Sequence, residues 1–233
     1  GWIPFSVGDL IYIILGCMII KTLIISIKKR KVNLKRMLAQ FSIFYFAFYL
    51  LWGLNYLREP IHKTFKIHEL AYTTEELEGF TNKLISNINK VHLKIVTNDS
   101  LKVVIPYSKN EIYGKVKNGF DNFSITQNSV QYRFQSSKNS LISYPLSYMG
   151  FTGYLNPFTG EAQVNSLSPL VSYPVTSSHE VAHQLGFAAE NEANFIGFLS
   201  AINNDDLYFQ YSGYYLALRY ALNDLYRHDQ NKY

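Results

Sequence analysis

The stretch PVTSSHEVAHQLGFAAENEANFIGFLSA, from Pro174 to Ala201, decides how the rest of the chain is read. At its centre stand His179, Glu180 and His183 in the order His-Glu-Val-Ala-His. On a helix, residues four apart lie on one face, about one turn (~5.4 Å) from each other. Two imidazoles so placed can hold one tetrahedral metal ion, zinc being the common choice. Glu180 follows His179 at roughly 100° round the helix, so it reaches a water at the metal without displacing either histidine. The expected helix runs from about Thr176 to Leu185, within a site helix near 176–186, with Ser177 or Ser178 as its cap and Gly186 at its end. The competing reading is a surface helix with two exposed histidines, but Val181 and Ala182 give this helix an apolar side.

A catalytic zinc needs a third protein ligand and an open position. Glu190 and Glu192, at the start of a second helical pattern running to about Ile202, are the candidates. The one not used as a ligand reads as a carboxylate favoured at a helix N-terminus.

Upstream, GYLNPFTGEAQVNS (Gly153 to Ser166) reads equally as an ordinary hairpin or as an edge strand that binds a peptide by β-addition. Glu161 within it reads as structural or substrate-facing, not as a ligand. Tyr211, Tyr214, Tyr215, Arg219 and His228, on a last helix from about Asp205 to His228, are open candidates for stabilising an oxyanion. His62, His68 and His92 have no ligand-like spacing and read as surface residues. Helices are also expected from Thr74 to about Lys94, with an apolar face of Leu77, Phe80, Leu84, Ile88 and Val91, and from about Lys109 to Asn122. Short strands and loops are expected from Ile125 to Val171.

The chain of 233 residues begins with two apolar stretches, roughly Phe5–Ile27 and Met37–Leu57. Each is long enough for the ~20 residues that a bilayer core requires. Lys21 can snorkel towards the basic cluster, and Trp52 and Tyr56 suit an interfacial belt. A cleaved signal peptide fits poorly, because the apolar core is too long and the positive charge follows it. The intervening loop holds Lys28, Lys29, Arg30, Lys31, Lys35 and Arg36 with no acid. Such a loop stays cytoplasmic, which makes this a multi-pass protein of the cell membrane with everything after Leu57 extracytoplasmic. The expected domains are an anchor over 1–60 and an extracytoplasmic unit over 61–233. The chain starts at Gly1, which leaves room for upstream helices.

The net charge of +5 is local to that loop, since the remaining 16 basic residues face 17 acidic ones. Nucleic acid is therefore not an expected partner. The single cysteine, Cys17, excludes a disulfide framework and a cysteine-based zinc site.

The segment HEVAH resembles the HExxH metallopeptidases called zincins, and ENEAN resembles their glutamate-ligand branch, the gluzincins. In several gluzincin families a Glu on the following helix is the third ligand, and an Asp or Asn four residues later supports a zinc histidine. By that resemblance Glu190 is the ligand and Asn194 its supporting partner, with Glu192 as rival. Two features depart from the pattern. Glu190 follows His183 by only seven residues, and Gly186 resembles the tight turn of the metzincins, whose ligand position falls here on Ala189. The whole pattern, with PFTGEAQVN, resembles most closely an uncharacterised bacterial membrane-protein family, domain of unknown function family 3810. That resemblance covers most of the chain, including its hydrophobic start, and implies a zincin-like site but no particular substrate. The expected fold is two transmembrane helices followed by an α+β zincin-like domain, and the likeness of HEVAH to the zincins makes the expected activity zinc-dependent hydrolysis of peptides or proteins with Glu180 as the base. The alternative is a non-catalytic membrane sensor or assembly protein with a structural zinc.

Overall fold

The computed structural model describes residues 3–30, 33–67, 71–127 and 130–229. Lys31 of the basic loop and His68 lie outside the described residues.

The chain is helix-rich with one small sheet. Helix α1 (Val7–Lys29) starts where the Ser6 hydroxyl accepts from Asp9 N, and it ends at Arg30 in a left-handed turn. It is the one helix among the described residues that is long and apolar enough to cross a membrane, and none of that apolar window is buried. The expected second span differs in form. Helix α2 covers Leu34–Leu51, and Gly53–Leu57 tighten into a 3-10 helix. Lys35, Arg36 and Gln40 occupy its first turns, and Gly53 and Asn55 favour a turn beyond Trp52, so the apolar run of the regular helix is shorter than the stretch from Met37 suggests. No residue of α2 is buried.

After the short helix α3 (Ile61–Thr64), capping boxes start α4 (Thr74–Ile95, from Thr73 and Glu76) and α5 (Lys109–Ser124, from Ser108 and Glu111). The buried face of α4 is Leu77, Thr81, Leu84, Ile88 and Val91. Phe80 is half exposed, because Thr81 and not Phe80 keeps the four-then-three spacing with its neighbours. Strands β1 (Ser137–Asn139), β2 (Gly153–Leu155) and β3 (Ala162–Val164) form a sheet in the order β1-β3-β2, with β1 parallel and β2 antiparallel to the central strand. A helix that the turn-rich sequence did not signal, α6 (Ser143–Tyr148), interrupts this region.

Helix α7 (Tyr173–Gln184) lies between the sheet and the helices α8 (Glu190–Ile202) and α9 (Leu207–His228), and ten of its twelve residues are buried. The main core joins Ile112, Val116 and Phe120 of α5 to Val181 of α7, Ile196 of α8 and Val164 of β3. A smaller cluster joins Leu77 and Leu84 of α4 to Ala221 and Leu225 of α9. At about 1.5–3 kcal/mol for each fully buried large apolar side chain, these contacts hold α7 far more firmly than its own length would.

Candidate metal centre

Helix α7 begins earlier than the serines suggest. Pro174 occupies the first turn, where its missing N–H costs nothing. Ser177 and Ser178 are no caps; their hydroxyls donate back to Tyr173 O (2.8 Å) and Pro174 O (3.1 Å). Tyr173 is fully buried and donates to Asn139 Oδ1 of β1 at 2.8 Å, with Tyr113 OH of α5 2.6 Å away. The start of the site helix is thereby fixed against sheet and helix at once.

The rings of His179 and His183 lie 4.7 Å apart at 89°. Gly186, at φ +86, turns the chain so that Phe187 O lies 2.7 Å from His183 Nδ1. A carbonyl only accepts, so Nδ1 carries the proton and Nε2 is left as a lone-pair donor. Phe187 is held in turn by Arg58, whose guanidinium lies 3.9 Å over its ring and donates to Leu185 O at 2.8 Å. Trp52, at the end of α2, meets His183 edge-on at 5.7 Å.

The carboxylate of Glu190, in the first turn of α8, spans both imidazoles, with Oε2 3.3 Å from His179 Nε2 and Oε1 3.5 Å from His183 Nε2. The helices can cross this closely because a β-carbon at Gly197 would come within 2.9 Å of the His179 backbone. Glu192 points elsewhere: its Oε1 accepts from Ile61 N at 2.7 Å and so caps α3. Asn194 donates to Tyr220 OH at 3.1 Å and only weakly favours protonated His179. His179 Nδ1 is buried without a hydrogen bond among the described residues.

Glu180 faces the sheet from the same helix. It is buried, and its Oε2 finds no partner among the described residues. Burial, reinforced by the charge of Glu190 and opposed by His179, pushes its pKa up to about 8. For His179, burial disfavours the charged form. The hydrogen bond to Glu190 and the charges of Glu180 and Glu190 outweigh it and leave the pKa raised. Burial and then the charge of His179 lower His183. The hydrogen bond from His179, against some desolvation, lowers Glu190. Ligand atoms of His179, Glu180 and His183 lie within 4.8 Å of one another. Two imidazole nitrogens with fixed or free second nitrogens, and a carboxylate between them, are a donor set that fits a zinc-sized cation. The buried, unpaired Glu180 Oε2 fits a group that handles a proton beside it.

A cleft of about 830 Å³ opens on the Glu190 side. Arg219, Tyr220 and Asn223 of α9 line it with His179, and Thr152 borders it beside β2. Of the five oxyanion candidates on α9, Arg219 reaches this cleft. Tyr211 packs on His92, Tyr214 on Phe198, and His228 lies near Asp224. Tyr220 is a site neighbour that the sequence did not single out, and Trp52 and Gly153, read there as part of an interfacial belt and as the start of a hairpin or edge strand, gain a place beside His183 and Glu180 that nothing local marks.

Fold and site together define a helix-rich α+β chain with an apolar helical start and a cluster of two histidines and two glutamates. The chain belongs to the family described as Protein of unknown function (DUF3810), whose model matches residues 1–233. No curated protein and no solved structure matches it.

Proposed function

We propose that this protein is a membrane-anchored zinc metallopeptidase of HExxH type, its site resembling the gluzincins in design. The observation that carries the reading is the convergence of His179 Nε2, His183 Nε2 and the Glu190 carboxylate beside the buried Glu180. Those three residues, and not Glu192, would hold the metal, because Glu192 is committed to Ile61 N. A zinc ion held there supplies Lewis-acid polarisation and lowers the pKa of a water. Glu180 takes the proton of the attacking water on its carboxylate and delivers it to the leaving amine. Arg219, in the cleft, offers positive charge to a developing oxyanion.

The edge strand β2 suits a peptide substrate. Thr152 O accepts from Asn165 N and Asn156 N donates to Glu161 O, both at 2.9 Å, just beyond the two ends of β3. The alternation of an antiparallel ladder turns the backbone groups of Gly153 and Leu155 to the free edge. The exposed apolar faces of α1 and α2 support two membrane-embedded helices with the basic loop Lys28–Arg36 on the cytoplasmic side and the site outside.

The test is Glu180→Gln. Zinc should be retained and hydrolysis lost. Metal held by four protein ligands, with no hydrolysis by wild type, would instead favour a structural zinc in a sensor or assembly protein.

A further inference from the structure

The start of α1 is not a free membrane anchor. Asp9 is buried and accepts from Ser140 Oγ (3.0 Å), from Leu141 N (2.7 Å) and from Tyr154 OH. Gly8 N donates to Glu161 Oε2 at 2.8 Å. Tyr12 stacks on Tyr154 at 6.2 Å, and Phe158 lies between Tyr12 (6.2 Å) and Phe44 of α2 (5.5 Å). The turn Asn156–Gly160 joining β2 to β3 is therefore wedged between α1 and α2. Tyr12 is three residues inside α1 from Asp9, about 4.5 Å, and Phe44 is eight residues before Trp52, about 12 Å, so the turn reaches past the ends of both helices.

Non-helical backbone at membrane depth persists only where its polar groups are satisfied by protein. The backbone N–H groups of this turn meet that condition, while Asn156 Nδ2 is buried without a partner among the described residues. Asn156 N bonds Glu161 O at 2.9 Å, and Pro157 has no N–H. Phe158 N and Thr159 N both reach Asn156 Oδ1, at 3.0 and 3.2 Å. Gly160 N reaches Asn156 O at 2.8 Å, and Gly160 O accepts from Gln184 Nε2 at 2.6 Å. Gln184 ends the site helix, and its neighbour His183 touches Trp52.

We infer that the turn Asn156–Gly160 is embedded in the outer leaflet, that the metal centre sits at the bilayer surface, and that its substrates are polypeptides anchored in the same membrane. The substrate class rests on the peptidase reading above. Strand β2 leads from the embedded turn to Gly153, beside Glu180, in three residues, about 10 Å of strand. A chain leaving the bilayer along the free edge of β2 passes Glu180 within its first few residues outside the lipid.

Placement is tested without chemistry. The full chain, reconstituted in phosphatidylcholine vesicles, carries one tryptophan, either at Phe158→Trp in a Trp2→Phe, Trp52→Phe background or the native Trp52 with Trp2→Phe. Brominated acyl chains should quench both, and aqueous iodide should quench position 158 poorly. Since Trp52 leaves the turn untouched, a folding defect in the first variant does not remove the readout. Quenching of both by iodide and of neither by brominated lipid overturns the placement. For the substrate, the zinc-loaded chain is given a randomised segment fused after a single transmembrane helix, or the same segment free in solution. Cuts mapped by mass spectrometry should cluster in the first residues outside the membrane, with the free segment cut at least about tenfold more slowly. Cuts spread evenly along the segment, or equal cutting of the free form, overturn the inference while the peptidase reading stands. Cutting of neither form removes the peptidase reading and this substrate class together, while the quenching result still decides the placement.

Discussion

The carboxylate of Glu180 lies so close to the backbone of Gly153 that a β-carbon at 153 would come within 2.3 Å of Oε1. Strand β2 and the proposed base are thus in contact because residue 153 has no side chain. Gly153→Ala must push Glu180 away or bend the edge strand. The expected outcome is a stability loss of about 1–3 kcal/mol, as for other overpacked sites, with hydrolysis reduced by about 100-fold through misplacement of the base. Thermal unfolding and peptide hydrolysis by the same preparation check it. Full activity in Gly153→Ala would detach Glu180 from the chemistry.

The two glutamates of α8 should separate cleanly. Glu190→Ala should lower zinc content with little loss of fold, since its side chain is 77% exposed. Glu192→Ala should keep zinc but lose about 1 kcal/mol, because Ile61 N is left without its acceptor. Metal analysis and denaturant titration of both variants decide the matter, and zinc loss in the Glu192 variant alone would reverse the assignment.

In the metal-free protein, the contribution of Glu180 to stability should fall as pH rises from about 4.5 towards 8. Folding raises the pKa of Glu180 to about 8 by burying it. Between the unfolded and folded values the folded state holds a proton that the unfolded state has released, so the slope of unfolding free energy with pH is negative. The stability is complete below the unfolded value and lost through the folded one, by roughly a few kcal/mol at about 1.4 kcal/mol per unit. His179, whose pKa is raised, slopes the same way, and His183 and Glu190, whose pKa values are lowered, slope the other way. The difference between wild type and Glu180→Gln isolates the Glu180 contribution, and parallel pH profiles for the two would contradict it.

Asp9→Ala should loosen the junction between α1 and the sheet. It strands Ser140 Oγ, Leu141 N and Tyr154 OH in a buried place, at a cost of roughly 2–4 kcal/mol. Protease nicking between Ile125 and Val171 should then increase in the reconstituted chain. Unchanged resistance would mean that the junction is not held by this carboxylate.

Legibility in the sequence followed the range of the interactions. Helix α8 begins at Glu190 and α4 begins after Thr73, where acidic residues or a capping box mark a start locally. The start of α7 lies earlier than the sequence predicts because Ser177 and Ser178 look like caps, while Pro174 and the buried Tyr173 do the fixing. Glu161 reads as structural or substrate-facing from sequence, but its partner Gly8 lies 153 residues away, and no local pattern names it. The same holds for Trp52 on His183 and for Gly153 under Glu180. The order β1-β3-β2 pairs strands that β2 and α6 separate in sequence, and short alternating runs do not specify such pairing. The second apolar stretch was readable as apolar, but its break at Trp52 depends on Gly53 and Asn55 and on contacts with α7.

The most direct measurement is zinc content and peptide hydrolysis on one preparation of the full chain, wild type beside Glu180→Gln. Equal zinc in both and hydrolysis in wild type alone are expected, with a loss of at least about 100-fold in the variant. Full hydrolysis by Glu180→Gln, or a wild-type protein that neither holds zinc nor cuts any peptide, would contradict the proposed function.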